Sequence, residues 1–112
     1  MLEAIERTHG YVARGRVVFF SDYDTRELVI HHLEHLAASA DQASQRFKGA
    51  NPLVPWADLR DLRTLLIHQY MRPQADRVWA FVSKQLPLVE RRLRKARFTE
   101  PPEPNRGNRE PA

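Results

Sequence analysis

From Val29 onward the apolar residues recur at intervals of four, three, four, three and four: Val29, Leu33, Leu36, Ala40, Ala43 and Phe47. That is the spacing of a seam in a helical bundle. Small residues at 37, 38, 40 and 43 leave room for a neighbouring helix to approach closely. The beginning of this helix is marked twice. Asp24 followed by Glu27 has the spacing of a capping box, and Tyr23 with Leu28 occupies the two positions of a hydrophobic staple, which predicts a start at Thr25. Gly49 ends the helix, and Asn51, Pro52 and Pro55 form the connection that follows.

The same period governs the rest of the chain. Leu2, Ile5, His9 and Val12 are spaced three, four and three, so the chain begins almost directly in an amphipathic helix, weakened by Gly10. Ala13 to Asp22 reads as a linker whose apolar run, Val17 to Phe20, is too short to classify and caps one end of the core. Pro55 suits the first turn of a third helix, with Trp56 docking into the core, and Met71, Arg72 and Pro73 end it. A fourth helix carries Val78, Val82, Leu86, Val89 and Leu93, with Trp79 on the same side. Pro87 lacks an N–H and collides with the carbonyl of Ser83, which predicts a kink or a restart there. No sheet is expected. The fold class is therefore all-α, a bundle of four to five helices in one domain over residues 1–98, followed by a disordered tail over 99–112 with no apolar residue larger than proline or alanine.

Fifteen of the eighteen basic residues are arginine in a chain of net charge +4, which favours phosphate or nucleic acid as a partner over an unspecific preference for anions. Five basic residues between Arg91 and Arg97 also complement a helix C-terminus. The absence of cysteine excludes disulfides and cysteine-metal sites. Neither a signal peptide nor an apolar run approaching eighteen residues is present, so the expectation is a soluble, cytoplasmic protein with no membrane association.

Within the third helix, the stretch Leu59 to Tyr70 divides into two arcs. Advancing about 100° per residue from Arg63, Leu59, Leu62, Leu65, Leu66 and Gln69 share one arc, the core stripe. Arg63 and Tyr70 fall within about 20° of each other on the other arc, two turns apart, while His68 stacks over Thr64. Ile67 lies between them at about 40°, an apolar residue that marks a second interface. Arginine binds phosphate oxygens through a planar fork of donors, and histidine gives or takes a proton near neutrality, so Arg63 and His68 suit phosphodiester chemistry without a carboxylate cluster. His31, His32 and His35 have a spacing at which two histidines on one helix share an ion. No third ligand is supplied and Glu34 points elsewhere on the wheel, so they read as partly exposed helix histidines and no metal site is expected.

Val54-Pro55-Trp56, then Leu62-Arg63-Thr64-Leu65-Leu66-Ile67-His68-Gln69-Tyr70, then Val78-Trp79, Val82 and Leu86-Pro87 occur in that order. Together they resemble the HepT toxin family, a branch of the HEPN ribonuclease superfamily: its Ile-Pro-Trp helix start, its Arg-x4-6-His-x-Tyr signature and the segment that follows. The resemblance runs from about Leu2 to Leu93. It departs at Thr64, where family members generally have a residue such as Asn, and at Ala37-Ala38, where they have Gly-Glu. Family chains also usually begin upstream of the position matching Met1. The resemblance implies a HEPN-like homodimer in which two Arg63 and two His68 converge, and cofactor-free, metal-independent RNA cleavage with Thr64 in a supporting position. It further implies a partner nucleotidyltransferase antitoxin of the MntA type that places AMP on Tyr70. An alternative, favoured by Ala38, is a non-catalytic nucleotide- or substrate-binding subunit of a two-component nucleotidyltransferase.

Overall fold

In the computed structural model, which describes residues 1–96, the chain is all-α and no strand occurs among the described residues. The expected tail over 99–112 lies outside them. Helix α1 (Leu2–Val12) turns Ile5 and Thr8 fully inward, and the Thr8 hydroxyl donates to the carbonyl of Ala4 at 2.8 Å, so its burial leaves no orphaned polar group.

The segment read as a linker contains a helix, α2 (Arg16–Ser21). It starts at Gly15, whose φ of 103° and ψ of 164° lie in a region that side chains other than glycine essentially never adopt. Phe19 is fully buried between Phe20 and Trp79, at ring-centroid distances of 5.1 and 5.0 Å. Arg26 closes the far end by donating to the carbonyls of Phe19 and Phe20 at 3.1 and 2.8 Å, two groups that a six-residue helix would otherwise leave open.

Helix α3 spans Tyr23–Gln42 and begins two residues before the expected Thr25, because Asp22 and not Asp24 is the cap. The Asp22 carboxylate accepts from the Asp24 backbone N–H at 3.3 Å and from the Thr25 hydroxyl at 2.6 Å. That hydroxyl, more than any other neighbour, holds the Asp22 carboxyl below the usual carboxylate range. Thr25 is buried and also accepts from Arg14 at 3.0 Å, which ties the loop to the cap.

The seam predicted to run unbroken to Phe47 is interrupted. Ala43 is extended, and Ser44 caps a separate helix, α4 (Gln45–Ala50), by accepting from the Phe47 N–H at 3.0 Å. Apolar spacing passes through the break without a change of phase, so periodicity alone conceals it. Trp56, half-buried, donates from its indole N–H to the carbonyl of Asn51 at 3.0 Å, fixing the approach to helix α5 (Trp56–Met71).

After α5 come α6 (Ala75–Ala80), a π-helical turn over Phe81–Gln85, and α7 (Leu86–Arg94). The restart expected near Pro87 takes this form. Proline at the start of α7 has no N–H to offer the preceding turn, and a wider turn accommodates the loss. Val78, Val82 and Leu86 would drift about 40° per four-residue step in a regular α-helix. A wider turn reduces that drift, and all three are buried.

Four long elements therefore surround one core. Helix α3 lies at its centre, packed chiefly on α1 and α5. Across the α1–α7 contact, His9 Nε2 meets Glu90 at 2.6 Å and Arg94 reaches both Glu90 and Glu6, at 2.8 and 3.3 Å. His9 first, then Arg94, holds the Glu90 carboxyl below its ordinary range. Among the described residues no helix is long and apolar enough to cross a membrane.

Two glycines give opposite expectations. A Cβ on either Gly10 or Gly15 would meet no atom within 4 Å, so only backbone conformation distinguishes them. Gly15→Ala should lower stability by about 1–3 kcal/mol through strain. Gly10→Ala, inside α1, should raise it by roughly 0.8–1 kcal/mol. Urea unfolding of the two variants measures both signs.

Candidate active site

Helix α5 buries Leu59, Leu62 and Leu66 against the core and leaves Arg63, Thr64, Ile67, His68 and Tyr70 exposed, as the arc of leucines requires. The exposed residues do not converge. Arg63 and Tyr70, seven positions apart, line one open groove of about 250 Å³ between α3 and α5. Thr64 and His68 lie on the adjoining flank of α5, about 100° and 140° around the helix from Arg63. The side chain of His68 makes no hydrogen bond or ion pair among the described residues.

Facing Arg63 and Tyr70 across the groove are two carboxylates of α3, also seven positions apart. Arg63 Nη1 pairs with Asp41 Oδ2 at 2.5 Å, and the Tyr70 hydroxyl donates to Glu34 Oε2. The helices run in opposite directions, so one heptad step on each brings both pairs into register, about 10 Å apart along the groove. Between the two pairs the floor is apolar: Ala37, Ala38, Leu66 and Ile67. Beyond Asp41 the groove continues into a smaller recess with Lys48, Arg60 and Trp56 on its walls, so cationic groups extend the Arg63 end.

The hydrogen bond to Glu34, then partial burial, then the negative charges of Glu34 and Glu27 push the Tyr70 phenol up to about 12. Tyr70 therefore keeps its proton at neutral pH. The Arg63–Asp41 pair is about half exposed on both sides, and a pair of that kind contributes only ~0–1 kcal/mol. A phosphate group, which Arg binds bidentately, is able to displace it.

Sequence reasoning missed Asp41 and set Glu34 aside. The signal was present as a row: Glu27, Glu34 and Asp41 are spaced by sevens on α3, as Arg63 and Tyr70 are on α5. Only the packing of α3 on α5 shows that the rows oppose each other.

The three histidines lie elsewhere. His31, His32 and His35 share with Glu3, Arg7 and Ser39 a recess of about 380 Å³ between α1 and α3. His31 and His35 stand nearly perpendicular with ring centroids 4.7 Å apart, and His32 stacks on Tyr11. Burial, then the positive neighbours His31, Arg7 and His35, hold His32 below its ordinary range. No group of three or more metal-ligating side chains among the described residues is disposed to hold an ion.

With this geometry in place, comparison with known proteins gives a consistent answer. The family model described as "Ribonuclease HepT-like" matches residues 1–96. A "Probable ribonuclease HepT" of Thermococcus cleftensis is 28% identical over 79 residues, covering 70% of this chain and 72% of that protein. A "Putative RNase" of Methanocaldococcus jannaschii is 30% identical over 69 residues, covering 62% of this chain and 57% of that protein. A second protein of the same name type and organism is 27% identical over 75 residues, covering 67% and 69%. No solved structure matches the chain.

Asp41 competes with any anion for Arg63. Asp41→Asn should therefore tighten the binding of inorganic phosphate at the groove by up to about five-fold, the equivalent of the ~1 kcal/mol ceiling for such a pair. Titration followed through the Arg63 side-chain NMR signals reads this directly, and weaker or unchanged binding would count against Arg63 as the anion ligand.

Proposed function

The chain belongs to the HepT-like ribonuclease family, and on that premise we propose that it is a metal-independent RNA endonuclease acting as a homodimer, the toxin of a pair whose antitoxin is an MntA-type nucleotidyltransferase. One observation carries the reading. Ile67 is 54% exposed on the strip of α5 that separates Arg63 from His68, with Tyr70 and Met71 also exposed beyond it. An apolar strip in that position suits a second copy laid across it, which would bring the partner copy's histidine toward the Arg63 of this one. A single chain holds the two groups about 140° apart on one helix, unable to act on one phosphate.

In such a composite site the ribose 2′-OH attacks the adjacent phosphorus, and His68 takes its proton. Arg63 leaves Asp41 and binds the phosphate oxygens as negative charge accumulates on the pentacoordinate phosphorus. The bond to the 5′-oxygen then breaks, a proton returns to that oxygen, and a cyclic 2′,3′-phosphate and a free 5′-hydroxyl remain. Lys48 and Arg60 extend the positive surface beyond Arg63, where the next phosphates of the strand would lie. Thr64, beside His68 on the flank, is placed to support it.

AMP on Tyr70 would put a phosphodiester and an adenosine into the same groove, two turns from Arg63. Substrate would then meet an occupied site.

A second reading, a non-catalytic nucleotide- or substrate-binding subunit of a two-component nucleotidyltransferase, draws on the Arg63–Asp41 pair and on Ala38, which leaves the groove floor without a charged group. The two readings separate on activity. Under the first, Arg63→Ala and His68→Ala each lower RNA cleavage by about 10² to 10⁴-fold in the presence of EDTA, with unchanged helical circular dichroism. Arg63→Lys fails as well, since a point charge does not reproduce the fork. Wild-type chain that binds its partner but leaves RNA intact would establish the second.

The dimer has its own test. Light scattering at micromolar concentration should give twice the chain mass for wild type and a single chain mass for Ile67→Glu. A monomeric wild type would remove the composite site.

A further inference from the structure

We propose that Glu34 is the proton acceptor that makes Tyr70 a nucleophile for nucleotidyl transfer. The inference rests on the modification reading given above and adds a residue to it. Tyr70 alone is a poor nucleophile near neutral pH, because its phenol is held above the ordinary tyrosine range and the phenolate is not available. A proton must therefore leave as the new bond forms, and it needs a receiver in contact with the oxygen. Glu34 is in contact: its carboxylate accepts the hydrogen bond from the Tyr70 hydroxyl. Among the described residues that line the groove, the only other carboxylate is Asp41, and it is taken by Arg63.

The step balances. Tyr70 Oη attacks the α-phosphorus of ATP, the Oη–P bond forms as the bond to the β-phosphate oxygen breaks, pyrophosphate leaves, and the phenolic proton passes to Glu34. The same hydrogen bond that suppresses free phenolate thus aims the hydroxyl and provides for its proton. Position on α3 supports the assignment further. Glu34 is one heptad from Asp41, so transfer of AMP would place the new phosphodiester within one groove length, about 10 Å, of Arg63.

Glu34→Gln keeps the shape and removes the base. Two readouts on the full chain test it. In a Tyr11→Phe/Tyr23→Phe background, which leaves Tyr70 as the one tyrosine, ultraviolet titration should find the phenol near 12 with Glu34 and shifted back toward 10 with Gln. With the MntA-type nucleotidyltransferase partner and ATP, intact-mass spectrometry should find adenylate transfer to Glu34→Gln slowed by about 10² to 10⁴-fold, and no transfer to Tyr70→Phe. Glu34→Asp, a base on a shorter stem, should recover part of the rate. Equal transfer to wild type and Glu34→Gln would overturn the role of Glu34 while leaving Tyr70 as the acceptor. An unmoved titration midpoint would overturn it too. Absence of transfer to wild type would remove the modification reading and this role together.

Discussion

Alanine sets how near α5 comes to α3, and most of the groove follows from that distance. Ala37 and Ala40 are 3% and 5% exposed, with leucines of α3 and α5 buried around them. A methyl group at these positions lets two backbones approach to the short end of the usual 8–10 Å interaxial range. Short carboxylate side chains then span the gap: an aspartate reaches an arginine, and a glutamate reaches a phenol. A larger residue at 37 would fill the floor and push the helices apart, and both cross-links would lose their reach together. The polar architecture of the site is in this sense a consequence of apolar packing.

Charge works against the proposed substrate as well as for it. A nucleic-acid site usually presents cations to solvent, yet here Glu27, Glu34 and Asp41 form an acidic edge directly opposite Arg63 and Tyr70. Since exposed pairs of this kind are weak, a polyphosphate chain that releases counterions can outcompete them. The acidic edge therefore acts as a threshold. It keeps Arg63 oriented when no phosphate is present and gives way to a ligand that brings more charge than one carboxylate.

Much of the fold was legible because helices announce themselves by period. Leu59, Leu62 and Leu66 face inward as their spacing required, and so do Val78, Val82, Leu86, Val89 and Leu93. Boundaries were less legible, for a local reason in each case. Two aspartates two positions apart, Asp22 and Asp24, compete to cap α3, and the winner is the one whose third neighbour, Thr25, supplies a hydroxyl. Between α3 and α4 the apolar phase is continuous, so only Ser44 and its bond to Phe47 reveal the break. The short run Val17 to Phe20 shows no period because one turn is too little to display one. At the site, Arg63 and Tyr70 could be grouped from one helix alone. Their partners could not, because Glu34 and Asp41 belong to a different helix and meet them only through tertiary packing. His68 completes the lesson: it lies five residues from Arg63, near in sequence and far around the helix.

The π-helical turn at Phe81–Gln85 bears on how this chain tolerates change in length. A turn closed by an i→i+5 bond holds one residue more than its α-helical equivalent. Removing any single residue there would restore a regular helix, but it would also rotate everything downstream. Val89 and Leu93 would swing away from the core, and Glu90 and Arg94 away from His9 and Glu6. Substitutions in this segment are therefore gentler than deletions, since the extra residue keeps the last helix in phase with the first.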